Sequence, residues 1–326
     1  MKREHPSIIV PGGLNIDFVG LGVDRLLGPG ELTLGGALKI GPGGKARNMA
    51  QMAAAYLGSG RVAMIGRTSR DPYGLWRVPI DSLEDAGVDT SHIKILDFEE
   101  AGHTYPGVAL ISVDKKGKNQ IYVLPGSNED FCAADVDDAE ELFKGESGQM
   151  MILALEIPME TAVHCLGKAA KYGIPVVLDP GGVNGPVDKI LDNRIFILKP
   201  NEHEAKMLTG ISVFDAFTAE KAALEILARG VQNVLLTCGE QGVYLFSRDL
   251  GIHIPCPEIP ETGEQDETGC GDQVTAVVAA CLAEGLSLEN AARSAVLSGT
   301  LQFHRAGVQP VTREELARPA DEGGTL

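Results

Sequence analysis

An acidic side chain follows two closely spaced glycines in residues 266–273, and a run of apolar residues comes directly after it. Gly269 and Gly271 permit a tight turn whose backbone N–H groups point one way, and residues 274–280 predict a buried helix. The start of a helix attracts anions such as phosphate groups. Asp272 lies in the first turn of this predicted helix, where it is either a helix cap or a base that takes a proton from a substrate hydroxyl.

Two further segments carry polar side chains that could hold a hydroxylated ligand. Asn15 and Asp17 follow a short apolar strand, and they could either reach two hydroxyls of one polyol or form an Asx-type turn. The glycine-rich residues 41–48 open a predicted helix over 45–57, in which Asn48 is either a cap or a ligand for such hydroxyls. This segment matches neither the P-loop pattern nor the G-x-G-x-x-G dinucleotide pattern.

The second half of the sequence contains the elements that would position these side chains. From residue 150 onward, short apolar strands alternate with helical segments, a rhythm that predicts a parallel sheet with crossover helices. Polar residues follow four of these strands: Glu156, Asp179, the pair Asn201 and Glu204, and residues 237–242. The carboxyl ends of parallel strands share one edge of the sheet, where ligands bind in open α/β folds. The pattern therefore favours a binding site on that edge over four separate helix caps.

A second, smaller β layer is predicted outside this sheet. Residues 19–38 are broken by glycines without a helical period, and residues 107–113 and 120–124 predict a hairpin with a charged tip. A helix is predicted over 73–86, and a polar break separates it from the hairpin. One face of the hairpin is apolar and needs a cover, which a second copy of the chain would supply.

Composition limits the classes of function. The 326 residues carry 28 basic and 45 acidic side chains, and the formal net charge of −17 argues against binding to nucleic acid or to an anionic membrane surface. The six cysteines form no C-x-x-C pair, which favours reduced thiols in the cytoplasm over disulfides or a zinc site. The longest apolar run, 274–283, has half of the ~20 residues that span a bilayer. Without a repeat or a Pro/Ser-rich linker, residues 1–326 are predicted to form a single domain.

Two motifs resemble the signatures of the ribokinase-like, or PfkB, family of carbohydrate kinases. Residues 43–50, Gly-Gly-Lys-Ala-Arg-Asn-Met-Ala, resemble its N-terminal signature, and residues 266–272, Asp-Glu-Thr-Gly-Cys-Gly-Asp, resemble its C-terminal signature. Within the family the sequence is most similar to the ribokinases. Shorter segments with the same likeness are 12–17, 29–31, 155–156, 199–204, 237–239 and 305–310. The sequence departs from the usual motifs at Ala46, Glu267 and Cys270.

The resemblance implies a fold and a reaction. The fold is a three-layer α/β/α domain with a mostly parallel central sheet and a small β-sheet lid over about residues 16–42 and 98–125. The reaction is transfer of the γ-phosphate of ATP to a primary hydroxyl of a small sugar, with ribose or a related pentose or ketose as acceptor and Mg²⁺ as cofactor. The fold could also serve a nucleoside kinase of the adenosine kinase type, a hexose or sugar-acid kinase, or a non-catalytic sugar or nucleotide sensor. The intact Gly269, Gly271 and Asp272 favour an enzyme, because a pure sensor needs no base beside an anion hole.

The resemblance also implies roles for individual residues. Asp272 is the implied general base, and the backbone N–H groups of Gly269, Cys270 and Gly271 form the implied anion hole. The implied sugar contacts are Asn15, Asp17, Gly43, Gly44, Lys45, Asn48, Glu156 and Asp272. The implied nucleotide contacts are Asn201, Glu204, Thr237, Gly239, Gly242 and Gly271.

Ions and a partner chain are implied as well. Asn201 and Glu204 would order the water molecules around Mg²⁺, an ion that gives up its hydration shell reluctantly. The implied site for a monovalent cation, K⁺, comprises Asp266, Thr268, Arg305 and Gly307. The lid is the implied contact of a homodimer.

Overall fold

The structure of the protein, a computed structural model, describes residues 5–145, 148–182, 187, 190–259 and 265–317. Its strands are β1 (Ile8–Pro11), β2 (Asn15–Val23), β3 (Ala37–Gly43), β4 (Val62–Arg70), β5 (Asp89–Asp97), β6 (Gly107–Asp114), β7 (Asn119–Leu124), β8 (Met150–Ala154), β9 (Val176–Asp179), β10 (Ile195–Leu198), β11 (Asn233–Thr237), β12 (Val243–Ser247) and β13 (Gly251–Ile254). Its α-helices are α1 (Lys45–Leu57), α2 (Arg77–Asp85), α3 (Ala133–Asp138), α4 (Met159–Tyr172), α5 (Glu202–Thr209), α6 (Ala216–Ala228), α7 (Cys270–Ala283), α8 (Leu288–Phe303) and α9 (Arg313–Ala317).

The larger sheet has the strand order β13-β12-β11-β10-β9-β8-β1-β4-β5. The two pairs at one end, β11 with β12 and β12 with β13, are antiparallel, and the other neighbours run parallel. Strands β1, β8 and β9 are buried along their whole length. Burial on both faces explains why these strands are near-continuous apolar runs in the sequence.

Apolar cores cover both faces of this sheet. One core contains side chains of α1, α7 and α8, such as Met49 and Val277. The core on the other face contains side chains of α4 and α6, such as Leu166 and Ile226. The three-layer α/β/α prediction is therefore confirmed. Helix α1 has the predicted bounds, and it packs against α7, which brings the two glycine-rich helix starts together.

Four strands form a separate sheet in the order β3-β2-β6-β7. The central pair, β2 and β6, is parallel, and the two outer pairs are antiparallel. Strand β2 begins at Asn15, after a short turn that follows β1, and β3 ends at Gly43, directly before the start of α1. The predicted second β layer is thus confirmed, and it extends from the carboxyl end of β1.

The predicted polar break before the hairpin is wrong. Residues Asp89–Asp97 form β5, which pairs with β4 at the edge of the larger sheet. An edge strand tolerates polar side chains, since one of its sides is open to water. Helix α2 is shorter than predicted, because the Asp71 carboxylate accepts hydrogen bonds from the backbone N–H groups of Tyr73 and Trp76 and holds these residues in a turn. Among the helices of the described residues, none combines the length and hydropathy of a membrane span.

Candidate active site

The start of α7 has the geometry that its glycines predict. Gly269 precedes the helix with a left-handed φ of 78°, a conformation that favours glycine. A Cβ at Gly269 would also come within 3.2 Å of the Met52 side chain and 3.3 Å of the Val308 side chain. Asp272 follows in the first turn with only 6% of its surface exposed. The helix start is therefore fixed by close packing on both sides.

The Asp272 carboxylate is held by side chains of α1. The Lys45 ammonium donates to Oδ1 over 3.3 Å, and the Asn48 amide donates to Oδ2 over 2.9 Å. Lys45 and Asn48 are three residues apart, a spacing that puts both on one face of the helix. The N-cap residue of α7 is Gly269. The Asp272 carboxylate thus bonds side chains of α1, and its role as a base stays a prediction.

A buried arginine sets the orientation of Asn48. Arg47 has 1% of its surface exposed, and its guanidinium donates to Asn48 Oδ1 over 2.8 Å and to Gln51 Oε1 over 2.6 Å. Because arginine has only donors, Asn48 must turn its oxygen toward Arg47 and its NH₂ group toward Asp272. Burial lowers the pKa of Arg47 to about 10, against the opposing charges of Asp17 and Asp272. Asn48 therefore contacts the carboxylate, and the N-cap residue of α1 is Gly44.

A second buried carboxylate, Asp179, joins two lysines near the first turn of α7. Its Oδ2 lies 2.7 Å from the Lys199 ammonium, and its Oδ1 lies 3.5 Å from the Lys45 ammonium. Lys199 also approaches the Gly271 carbonyl oxygen at 3.5 Å. Burial alone would raise the pKa of Asp179, but the two lysines hold it well below its usual range. Two positive charges are thus fixed beside the first turn of α7.

Asp17 and Glu156 are carboxyls with raised pKa values. Burial raises the pKa of Asp17 to about 6, with Arg47 opposing and Asp272 reinforcing the shift. Burial raises the pKa of Glu156 to about 7, although its Oε2 accepts the backbone N–H of Lys45 over 2.8 Å. A Cβ at Gly43 would lie 2.0 Å from Asp17 Oδ1. Any side chain larger than that of Gly43 would therefore clash with the Asp17 carboxylate.

Asn15 is anchored by Asn128, a residue of the 3-10 helix Gly126–Asp130. The Asn128 NH₂ group donates to Asn15 Oδ1 over 2.8 Å and to the Leu14 carbonyl over 3.0 Å. Its side-chain oxygen accepts the Leu14 N–H over 2.9 Å. These bonds fix the turn between β1 and β2, which presents Asn15 and Asp17.

The predicted nucleotide residues lie at the ends of β10 and β11. Asn201 and Glu204 form a reciprocal capping box at the start of α5, in which each side chain accepts the backbone N–H of the other, over 2.8 Å and 2.9 Å. Thr237 lies beside Asn201 in an isolated parallel bridge. Gly242 has a φ of 87°, and a Cβ there would lie 2.2 Å from the Ile254 carbonyl. These residues therefore share the sheet edge with Lys199.

Comparison with known proteins decides the family. The family model described as pfkB family carbohydrate kinase matches residues 6–315. The chain belongs to the PfkB family of carbohydrate kinases. This PfkB kinase is 31% identical to the deoxyribokinase of Salmonella typhi over 303 residues, which cover 93% of the chain and 94% of that enzyme. It is 32% identical to the ribokinase of Bacillus subtilis strain 168 over 303 residues, with the same two coverages.

A solved structure of Arabidopsis thaliana ribokinase, complexed with ribose and ATP, has the same fold. It is 27% identical in sequence with a TM-score of 0.85, covering 98% of this chain and 100% of that one. The predictions of the family, of the fold and of an ATP-dependent carbohydrate kinase are confirmed.

Three residues of this PfkB kinase contact the site without having been predicted from the sequence: Arg47, Asn128 and Lys199. Arg47 lies inside the N-terminal motif, and its position beside Asn48 is the only sequence signal for its role. Lys199 precedes the predicted Asn201 by two residues, but its pairing with Asp179 requires the sheet. Asn128 follows the hairpin and bonds a residue 113 positions away. No local pattern indicates that contact.

Proposed function

We propose that this PfkB kinase transfers the γ-phosphate of ATP to a primary hydroxyl of a small sugar, with ribose or a related pentose or ketose as acceptor. The observation that carries the proposal is the Asp272 carboxylate, buried at the start of α7 and held by Lys45 and Asn48. The similarity to enzymes named ribokinase and deoxyribokinase supports a pentose.

Asp272 is the general base of the proposed reaction. It takes the proton of the sugar hydroxyl while that oxygen bonds to the γ-phosphorus and the bond from the γ-phosphorus to the ADP oxygen breaks. The backbone N–H groups of residues 269–271 lie at the N-terminus of α7, where they stabilise the negative charge of the phosphoryl oxygens. Lys45 and Lys199 add positive charge beside the same turn.

The sugar is proposed to bind where the first turn of α1 meets the start of β2. Its contacts would be Asn15, Asp17, Gly43, Gly44, Lys45, Asn48 and Glu156. Burial outweighs the favourable contacts of Asp17 and Glu156 and raises the pKa values of both carboxyls, because it removes water from their charged forms. Sugar hydroxyls donate hydrogen bonds to carboxylate oxygens and would replace the lost water.

ATP is proposed to bind along the adjoining edge of the sheet. Its contacts would be Asn201, Glu204, Thr237, Gly239, Gly242 and Gly271. The described residues contain no cluster of three carboxylate, imidazole or thiol groups that could enclose a metal. One amide and one carboxylate, those of Asn201 and Glu204, suit Mg²⁺, because this ion keeps several waters and takes other ligands from phosphate oxygens. Asn201 and Glu204 would hold Mg²⁺ through those waters, and the ion would neutralise phosphate charge.

The smaller sheet is proposed to be a lid, formed by about residues 16–42 and 98–125 of a single cytoplasmic kinase domain that spans 1–326. By strand alternation, the face opposite to Asp17 carries the exposed side chains Leu38, Ile40, Leu110, Tyr122 and Leu124. An apolar face of this kind is stable when covered, so two chains are proposed to pair through their lids. Light scattering at micromolar concentration tests the dimer; a monomeric mass with and without sugar would contradict it.

A panel of acceptors, assayed for ADP release with Mg²⁺ and ATP, tests the proposed reaction. We expect the highest kcat/KM with a pentose or ketose. A nucleoside, hexose or sugar acid as the best acceptor would overturn the proposed substrate and retain the kinase. Tight binding without ADP release from any acceptor would overturn the reaction and leave a sensor.

A further inference from the structure

Gln302 joins the two loops that flank the start of α7. Its side chain is fully buried in α8, and its NH₂ group donates to the carbonyl oxygens of Gly307 over 2.6 Å and Thr268 over 3.2 Å. Its side-chain oxygen accepts the Gln309 N–H over 3.2 Å. The amide nitrogen thus sits between two carbonyl oxygens, the kind of ligand that replaces the hydration shell of K⁺ in proteins.

The other groups implied for a monovalent cation are also engaged within the chain. Asp266 accepts the Thr268 N–H over 2.9 Å with one oxygen and the Gly307 N–H over 2.7 Å with the other. The Arg305 guanidinium donates to the Pro310 carbonyl over 3.0 Å and pairs with Glu315 over 2.5 Å. Protein donors therefore connect residues 266–268 to residues 305–310.

A positive charge reaches the same place from the smaller sheet. The Lys39 ammonium extends from β3, on the face that carries Asp17, to within 3.3 Å of the position that a Cβ on Gly307 would occupy. The Lys39 charge therefore lies beside Gly307, whose backbone N–H donates to Asp266 over 2.7 Å.

We propose that the Lys39 ammonium and the Gln302 amide take the place of a monovalent cation, so that the anion hole of this kinase is assembled without K⁺. The implied residues do not fit the ion, because a donor already occupies the space between Thr268 and Gly307 carbonyls. A cation bound beside Gly307 would also be repelled by the positive charge of Lys39, an exposed side chain that reaches this residue. Since Lys39 belongs to the smaller sheet, the position of that sheet and the order of the anion-hole loop are linked.

Potassium titration of the wild-type kinase tests the proposal in two ways. Turnover with Mg²⁺, ATP and the best acceptor of the panel is compared in potassium chloride and in tetramethylammonium chloride at equal ionic strength. Melting temperature is measured in the same salts, because an ion that binds the folded state raises it. We expect equal melting temperatures and rates that agree within about two-fold. A ten-fold or larger activation by K⁺, or stabilisation specific to K⁺, would overturn the proposal. The melting measurement does not depend on the proposed kinase reaction, so the cation proposal and the proposed function can fail separately.

Variants of Lys39 and Gln302 test whether these two side chains take the place of the cation. Lys39→Met keeps most of the stem and removes the charge; we expect lower turnover in tetramethylammonium and several-fold recovery on adding K⁺. Lys115→Met is the matched control, since Lys115 is an exposed lysine in the turn between β6 and β7 of the same sheet and pairs with Asp24. Gln302→Ala opens the space between the two carbonyls and should make the melting temperature respond to K⁺. If Gln302→Ala does not fold, Lys39→Met decides: unchanged turnover without K⁺ refutes the role of Lys39.

Discussion

Replacement of Asp179 by asparagine removes the shared negative charge between two lysines while keeping the size of the side chain. Lys199 has 3% of its side chain exposed and lies 2.7 Å from Asp179, so its charge would be left buried beside a neutral amide. Removing one partner of a buried ion pair costs about 3–5 kcal/mol. The free energy of unfolding of Asp179→Asn should therefore fall by that amount at neutral pH.

Urea unfolding measures this loss against a matched surface pair. Asp24→Asn removes the partner of Lys115, and both side chains of that pair are more than half exposed. An exposed pair is worth about 0–1 kcal/mol, so the control should unfold almost as the wild type does. The turnover of Asp179→Asn should also fall, because Lys45 and Lys199 both lose the carboxylate that positions them.

The pH dependence gives a second test of the same pair. The pKa of Asp179 is lower in the folded state than in the unfolded state, where it is about 3.9. The stability that the charge contributes is therefore complete above that value and is lost as the pH falls toward the folded-state pKa. The difference between wild type and Asp179→Asn should shrink below about pH 4. A loss no larger than that of Asp24→Asn at neutral pH would refute the ion-pair account.

Three further substitutions test other parts of the site. Glu204→Gln should shift the Mg²⁺ dependence of the rate and leave sugar affinity little changed; an unchanged Mg²⁺ curve with weaker sugar binding would reverse the assignment. Burial raises the pKa of Glu156 to about 7, so the folded state retains a proton that the unfolded state releases above 4.5. Wild-type stability should thus decline between these pH values, and Glu156→Gln should make that decline smaller in urea unfolding; the part below about pH 6 that Asp17 contributes should remain. Asn128→Ala should raise the KM for sugar more than that for ATP, because it frees Asn15; equal effects on both would argue against a positioning role.

Local signals account for what could be predicted from the sequence. Helix α1 follows Gly44 and ends before Gly58, and its buried alanines repeat with helical spacing, so its bounds are visible in the chain. The alternation of strands and helices after residue 150 likewise predicts the parallel part of the larger sheet. Strand β5 has no such signal, because its backbone pairing with β4, and not its side-chain pattern, makes it a strand.

Only part of the candidate site could be predicted from the sequence, because some of its contacts have no local sequence signal. Asn15, Asp17, Lys45 and Asp272 lie in motifs or at strand ends, where residue type and neighbours suggest chemistry. The lysine pair at Asp179 and the arginine behind Asn48 depend on which side chains meet across the sheet and between helices. Sequence spacing does not encode those contacts.

The central claim is that Asp272 is the base, and Asp272→Asn tests it most directly. The amide keeps the size of the carboxylate but cannot accept the sugar proton. With the fold verified by its melting curve and with ATP and sugar affinities measured by calorimetry, kcat should fall about 10²-fold or more while both affinities persist. A variant that binds both substrates and keeps near-wild-type turnover would contradict the account.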